Sequence, residues 1–492
     1  MGVIQRQTIK SSFYIYLGIL IGFVNVSILY PQFLTTTQIG VITLIVSWGA
    51  IFAQFGTLGF GGAVIRFFPF FRDQTKKHNG FFFLLMIVFL IGSLVVSLMI
   101  WLLRDWLANQ AEQGSLFVEY LHLLTPYTLA MLLFMLLDVY NRSLYNASTG
   151  LLLNETIARV LVTIVIIPFA LSLFSFDNYI GFYVLTRFII VALFIVFLLW
   201  KKSISLQPDF RLLDTDMWKQ MASISMYSLL TGFSAIAVMR LDAIMIGNIM
   251  SESDVGIYIT CFFYGTLVSL PSRAIKGITP TLISDAFKSN DLGTIADIYR
   301  KSSVNQTVAG AFLLIGIWAN IHNVFEILEP EYLPGMYVIL YIGMMNLVKM
   351  VTGNNDIIIG YSQYYRVNTY FMFVWLALIG LTNWILIPER GIVGAAIASL
   401  ISVAIICLVR AWFLYYKFGF QPFGKGHIII LAIACMCYAV ITFVPIIAPF
   451  YLDILVRGLM ISILFVPAIL ISRVAPEINS IVNSYFEKLK GR

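Results

Sequence analysis

The sequence predicts an all-α integral membrane protein of about fourteen spanning helices, set out as two six-helix lobes and two further C-terminal helices. Three observations carry the prediction: the composition, the spacing of long apolar runs, and the distribution of Lys and Arg between the two sides. Of the 492 residues, 60% are hydrophobic, 15% aromatic and 11% charged. The mean hydropathy is +0.91, and a soluble domain carries about 25% charged residues. A helix rising about 1.5 Å per residue needs about 20 apolar residues to cross a hydrocarbon core of about 30 Å.

Runs of that length occupy 11–33, 38–59, 80–103, 118–139, 157–175, 179–200, 221–247, 255–275, 303–322, 336–353, 367–387, 391–415, 427–447 and 452–472. The first is too long for a secretory leader and lacks a small-residue cleavage site, so it is expected to stay as a spanning helix. The second is weakened toward its end by Gly56, Gly59, Gly61 and Gly62, with Pro69 beyond. The eighth is weakened likewise by Gly265, Pro271, Gly277 and Pro280. Such positions serve close helix packing, or hinges where a cavity wets the backbone. After the sixth run comes KKSISLQPDFRLLDTDMWKQ (201–220), whose Pro208 and alternating charges read as a cytoplasmic linker with an interfacial helix. The tail, Pro476 to Arg492, spaces Ile478, Ile481, Val482, Tyr485 and Leu489 as an amphipathic surface helix. All four cysteines lie inside apolar runs, and Cys435-x-Cys437 lacks partners at zinc-site spacing, so they read as small apolar residues. No metal cluster or nucleotide-binding pattern is present, and no cofactor is expected.

With the N-terminus cytoplasmic, 25 of the 31 Lys and Arg residues fall on the cytoplasmic side. Two, Arg104 and Arg390, fall in outer loops, and Arg187, Arg240, Lys349 and Arg457 lie within runs. Several outer loops are acidic, notably at Glu252 and Asp254 and at Glu326, Glu329 and Glu331. This bias orients multi-pass proteins. It places both termini in the cytoplasm and makes the number of spans even. The net charge of +7 is then an insertion signal and an attraction to anionic headgroups, not a nucleic-acid footprint.

The linker divides the chain into a lobe at 1–200 and a second at 221–416. The last two spans lie in 417–475 and the tail in 476–492. Weak internal similarity supports a repeat. Gln38-Ile39-Gly40-Val41 opens span 2 and Asp254-Val255-Gly256-Ile257 opens span 8, while Tyr179-Ile180-Gly181 and Ile392-Val393-Gly394 open spans 6 and 12. Repeats of an even number of spans are related by an axis along the membrane normal, with a binding site expected between them.

A charge at the bilayer centre costs roughly 2.5–3.5 kcal/mol on insertion scales, so each one requires a partner or a wet cavity. Arg240 and Asp242 are about 200° apart around a helix and cannot face one neighbour. Arg240 either snorkels to headgroups about 10 Å away or offers its fork to phosphate oxygens on a cavity wall. Arg187, about 12 Å deep, either pairs with an acid such as Asp242 or binds cargo. Lys349 and Arg457 lie nearer span ends, where interface anchoring is the ordinary role, and Lys349 is carried as a candidate.

The stretch RLDAIMIGNIMSESDVGIYITCFFYGTLVSLPSRAIKGITPTLISD (240–285), with FGTLGFGGAVIRFFP (55–69) and GIVGAAIASLIS (391–402), resembles the polysaccharide and O-antigen flippases of the multidrug/oligosaccharidyl-lipid/polysaccharide exporter superfamily. The resemblance implies the MATE-like fold of two six-helix lobes around a central cavity, in a bacterial inner membrane. It implies alternating access that carries a polyprenyl-diphosphate-linked oligosaccharide from the cytoplasmic to the outer leaflet. It also places spans 1, 2, 7 and 8 at a lateral portal, where Arg66 and Arg273, at matching ends of spans 2 and 8, would meet a headgroup diphosphate. Many drug antiporters of this fold are similar in carrying a buried carboxylate in span 1. Here 11–33 has no Asp or Glu, and Asn25 is its strongly polar group.

The candidate cargo-binding residues are therefore Arg187, Arg240, Asp242, Asn25, Lys349, Arg66 and Arg273. The expected partners are a lipid-linked anionic oligosaccharide and membrane lipids. A coupling H+ or Na+ and a polysaccharide polymerase or glycosyltransferases stay open as further partners. The rival readings are an ion-coupled multidrug exporter of the same fold and a non-transporting scaffold for glycan-synthesis enzymes. An enzyme is not expected.

Overall fold

The computed structural model describes residues 3–73, 77–110, 114–208 and 214–480. Helix α1 (Val3–Val24) runs through a π turn at Asn25–Leu29 into Tyr30–Phe33. Then come α2 (Thr36–Gly56), α3 (Phe60–Phe71), α4 (Phe81–Gln110), α5 (Leu116–Ser143), α6 (Ala147–Ala170), α7 (Phe176–Trp200) and α8 (Thr215–Ile249). They are followed by α9 (Glu252–Thr266), α10 (Leu270–Lys288), α11 (Leu292–Ala319), α12 (Ile321–Ile327), α13 (Met336–Val351), α14 (Asn355–Tyr361), α15 (Tyr365–Phe418), α16 (Lys425–Thr442) and α17 (Phe450–Ser472).

Among the described residues, 13 helical segments are long and apolar enough to span a membrane. One of them, α15, has 54 residues and a backbone break at Gly391 (φ 59°, ψ −142°). At about 1.5 Å per residue it is nearly three times as long as one crossing. It is two antiparallel spans turned at Pro388–Gly391, so the crossings number about fourteen, as the apolar runs predict. The turn is tight: a Cβ on Gly394 would overlap the Leu386 carbonyl.

The helices start where the sequence supplies caps. Thr35 and Gln38 form a capping box on α2, with backbone–side-chain bonds of 3.2 and 3.1 Å. The Asp214 carboxylate accepts from the Met217 N–H at 2.7 Å to open α8, and the Ser251 hydroxyl accepts from the Asp254 N–H at 3.1 Å to open α9. Each cap satisfies an amide that would otherwise lack a partner. The linker is irregular over 203–208. Residues 209–213, on which part of the expected interfacial helix falls, lie outside the described residues, and Thr215 onward is continuous with the spanning helix α8. Of the expected tail helix, only 476–480 are described, and these are helical.

The glycine-weakened spans break as expected. The α2 helix stops at Gly56, and Leu58 (φ 49°) and Gly59 (φ 69°) turn the chain into α3. A 3-10 turn at Leu267–Ser269 separates α9 from α10.

By contacts the chain forms two compact units, Met1–Gly256 and Ile257–Arg492. In the first unit, α2 packs on α5 and α8, α3 on α5 and α8, α6 on α1, and α7 on α5 and α6. Its apolar core is rich in rings: Phe68 meets Phe81 and Tyr140 edge-on, with centroids 5.2 and 5.4 Å apart. In the second unit, α13 packs on α11 and α15, α16 on α11 and α17, and α14 on α15. Side chains on the outer surfaces are apolar and bare, as Leu94 (72%) and Ile463 (68%) show, which suits acyl chains as solvent.

Candidate functional site

The site grows from α7. Ser175 caps this helix, and Tyr179, Ile180 and Tyr183 form its buried face. Arg187 lies one turn beyond Tyr183, so the two share that face. The guanidinium lies 5.7 Å from the Tyr127 ring centroid, and the Tyr127 and Tyr183 rings stack 6.5 Å apart at 10°. Arg187 Nη1 donates to the Asn154 Oδ1 at 3.3 Å. Beside it, Arg187, Asn154, Met131, Phe134 and Ile190 help line a cavity of about 150 Å³.

Arg240, on α8, interacts electrostatically with the same Tyr127 and Tyr183 and with Arg187 itself. The structure thus places the two intramembrane arginines, 53 positions apart in the sequence, within electrostatic reach of one pair of tyrosines, with Arg187 over the Tyr127 ring. Neither takes part in any of the ion pairs among the described residues. Asp242 is therefore not the counter-ion of Arg187; it is buried at 8% exposure and engaged with other groups.

Asn154 sits in a π turn, Leu152–Ile157, inside α6. Its amide donates to Glu155 at 3.1 Å, and Glu155 pairs with Arg159 at 2.8 Å. The polar chain Arg187–Asn154–Glu155–Arg159 therefore crosses the unit's interior. Asn25 supports it from α1: its amide donates to the Arg159 carbonyl at 3.0 Å and its oxygen accepts from Thr163 at 2.7 Å. Asn25 is 2% exposed, so it holds α1 against α6 and does not open onto the cavity beside Arg187. Two close approaches seal this seam, because a Cβ on Gly18 would overlap the Glu155 carbonyl and one on Gly22 would meet Arg159.

The remaining candidates lie elsewhere. Arg66 on α3 and Arg273 on α10 are exposed and make no ion pair among the described residues. Lys349 belongs to the second unit, with its ammonium 5.4 Å from the Trp375 ring centroid. Arg457 is not an interface anchor. It is 4% exposed and donates to the Asp453 carboxylate at 2.7 Å and to the carbonyls of Ile441, Val444 and Pro445. Asp453 also accepts from His322 and Asn323 at 2.7 and 2.6 Å.

Sequence reasoning misses Asn154, Glu155 and Arg159 because it starts the fifth span at 157 and counts Arg159 as cytoplasmic. The signal is present as an acid and a base at i, i+4 beside an apolar run, a spacing at which each neutralises the other.

Two guanidinium forks with hydroxyl groups beside them and no ion-pairing carboxylate among the described residues can receive an anion, and phosphate oxygens match the bidentate geometry. Residues 5–283 match the profile of the family described as polysaccharide biosynthesis protein. Among solved structures, a lipid II flippase, MurJ, in an inward closed conformation superposes with a TM-score of 0.70 at 11% identity, covering 93% of this chain and 97% of that one. An inward-facing multidrug resistance MATE family transporter of the MOP superfamily gives 0.61 at 13% identity, covering 84% and 94%. An outward-facing transporter of the same description gives 0.55 at 12% identity, covering 85% and 96%. No curated protein matches. With more than half its length matched and the transporter fold shared nearly end to end, this chain belongs to the polysaccharide biosynthesis protein family and has the fold of the MOP exporter superfamily.

Proposed function

We propose that this protein is a flippase moving a polyprenyl-diphosphate-linked oligosaccharide from the cytoplasmic to the outer leaflet of a bacterial inner membrane by alternating access, with both termini cytoplasmic. The observation that supports the reading is that Arg187, over the Tyr127 ring, and Arg240, in electrostatic reach of Tyr127, Tyr183 and Arg187, form no ion pair with a carboxylate among the described residues. A membrane protein retains such unpaired charge where an anion or water offsets it. The diphosphate would take the place of that water, the sugars would follow through wetted space, and the lipid would stay in the bilayer. The lobes at 1–200 and 221–416 are the moving repeats in this account, and the protein makes and breaks no bonds.

The fold shared with a lipid II flippase supports lipid-carried cargo. An exporter of cationic drugs would require an unpaired acid. Instead, the carboxylates of Asp138, Glu155 and Asp453 each pair with an arginine one turn away, and Asp242 is buried and engaged with other groups. The test is reconstitution into vesicles and measurement of headgroup appearance on the far leaflet. Arg187→Ala and Arg240→Ala should each slow transport by about 10- to 100-fold, the worth of one lost charge-assisted hydrogen bond. Arg187→Lys, which keeps the charge and loses the fork, should fall between. Unchanged transport in both alanine variants removes the arginine pair from the mechanism.

A further inference from the structure

A second cationic cavity lies wholly within the second unit. It has a volume of about 150 Å³ and is walled by Lys276 on α10, Lys349 on α13, Asn355 and Asp356 on α14, and Trp375 and Arg410 on α15. Lys276 pairs with Asp356 at 3.8 Å, which neutralises one charge of each sign. Lys349 and Arg410 are left over, and neither forms an ion pair among the described residues.

The donors of this wall are also unspent. Arg410 is 5% exposed, its Nη2 reaches only the Met372 sulfur at 3.6 Å, and its Nε is buried with no hydrogen-bond partner among the described residues. The Trp375 indole N–H is buried and unpartnered as well. Lysine, arginine and indole can only donate. A pocket with surplus donors and two surplus positive charges is short of one thing, an acceptor carrying negative charge.

Size narrows the choice. At about 30 Å³ per water, the cavity holds about five waters, which fits a halide or a phosphate-sized oxyanion and not an oligosaccharide. We propose that Lys349, Arg410 and Trp375 form a binding site for a small anion, of halide to phosphate size, separate from the Arg187–Arg240 site. The same chemistry could be supplied by a free ion or by the phosphate of a lipid headgroup. Occupancy would offset the charge buried between α13, α14 and α15 and would brace the second unit whatever the cargo.

The experiment is thermal unfolding of the purified full-length chain in neutral detergent, in sodium gluconate at constant ionic strength. Sodium chloride and sodium phosphate are exchanged in separately, and phosphatidylglycerol is added in a third arm without either ion. A saturable rise in Tm with chloride or phosphate is expected, and Lys349→Gln and Arg410→Gln should raise the half-saturating concentration about 10- to 100-fold. Trp375→Phe, which keeps the ring and removes the N–H, should show a smaller shift and covers the case in which a charge variant fails to fold. Protection by phosphatidylglycerol alone, lost in the same variants, assigns the anion to a lipid headgroup. A Tm that rises without saturation and equally in wild type and variants is a general salt effect and overturns the proposal, as does no response in any arm. Because the readout is binding, failure here leaves the flippase reading untouched, and loss of transport in Arg187→Ala leaves this site untouched.

Discussion

The starts of α2 and α9 touch each other, and one added methyl group should pry them apart. A Cβ on Gly256 would lie 2.7 Å from the Thr36 carbonyl carbon and 3.1 Å from its Cα, and closer still to the oxygen. A Cβ on Gly40 would lie 2.7 and 3.2 Å from the same atoms of Glu252. The two contacts are reciprocal, each glycine lying four residues after the residue of its own helix that the other glycine meets, and the Thr36 and Ser253 hydroxyls are 2.7 Å apart. Carbon atoms prefer about 3.5–4.0 Å, so Gly256→Ala must move the helices about 1 Å apart against backbone that cannot swing away. Overpacking of this kind costs about 1–3 kcal/mol, which shifts the ratio of packed to separated crossing about 5- to 150-fold. The assay is disulfide formation between Thr36→Cys and Ser253→Cys in a Cys435→Ser background, since Cys435 is the exposed thiol among the described residues. Hydroxyls this close place thiols within bonding reach. The parent pair should cross-link rapidly, and adding Gly256→Ala should slow cross-linking by the factor above. Equal rates with and without Gly256→Ala would refute the reasoning, because a crossing this tight cannot absorb a methyl group unnoticed.

Three further outcomes are expected. Arg457→Ala strands the Asp453 carboxylate, 0% exposed, and should destabilise the protein by about 3–5 kcal/mol in detergent denaturation, while His322→Ala, which removes one of several donors, should cost much less. Gly18→Ala should loosen α1 from α6, seen as faster amide exchange around Asn25, because the new methyl meets the Glu155 backbone. The Thr294 hydroxyl and N–H hold the Asp291 carboxyl below its usual range. A depressed folded-state value means the cap's contribution is present above the ordinary carboxylate range and lost as pH falls through the folded value. Protection from exchange at 292–294, measured relative to the intrinsic rate at each pH, should therefore fall in acid, and Asp291→Ala should show the reduced protection at neutral pH.

The spans are legible because lipid leaves so little choice: a crossing must be about 20 apolar residues long and helical, and composition alone reveals that. Even the least marked features, the run at 336–353 and the break at 447–452, correspond to α13 and to the turn before α17. Legibility fails where charges neutralise one another inside a span. Glu155 with Arg159, and Asp453 with Arg457, read as span edges or anchors because a residue-by-residue scale prices each charge separately, whereas at i, i+4 the pair enters lipid nearly as a dipole. Arg410 reads as a cytoplasmic charge for the related reason that depth counted along a helix says nothing about what packs over it. It lies instead in the wall shared with α13 and α14, which are remote in sequence. Arg187 and Arg240 show the converse. No acid stands one turn from either, so isolation itself marks them, and among the described residues neither forms an ion pair in space. A lone arginine deep in an apolar run is thus a sounder pointer to an anion site than a charged pair, because local pairing, the ordinary way for a helix to carry charge through lipid, is already closed to it.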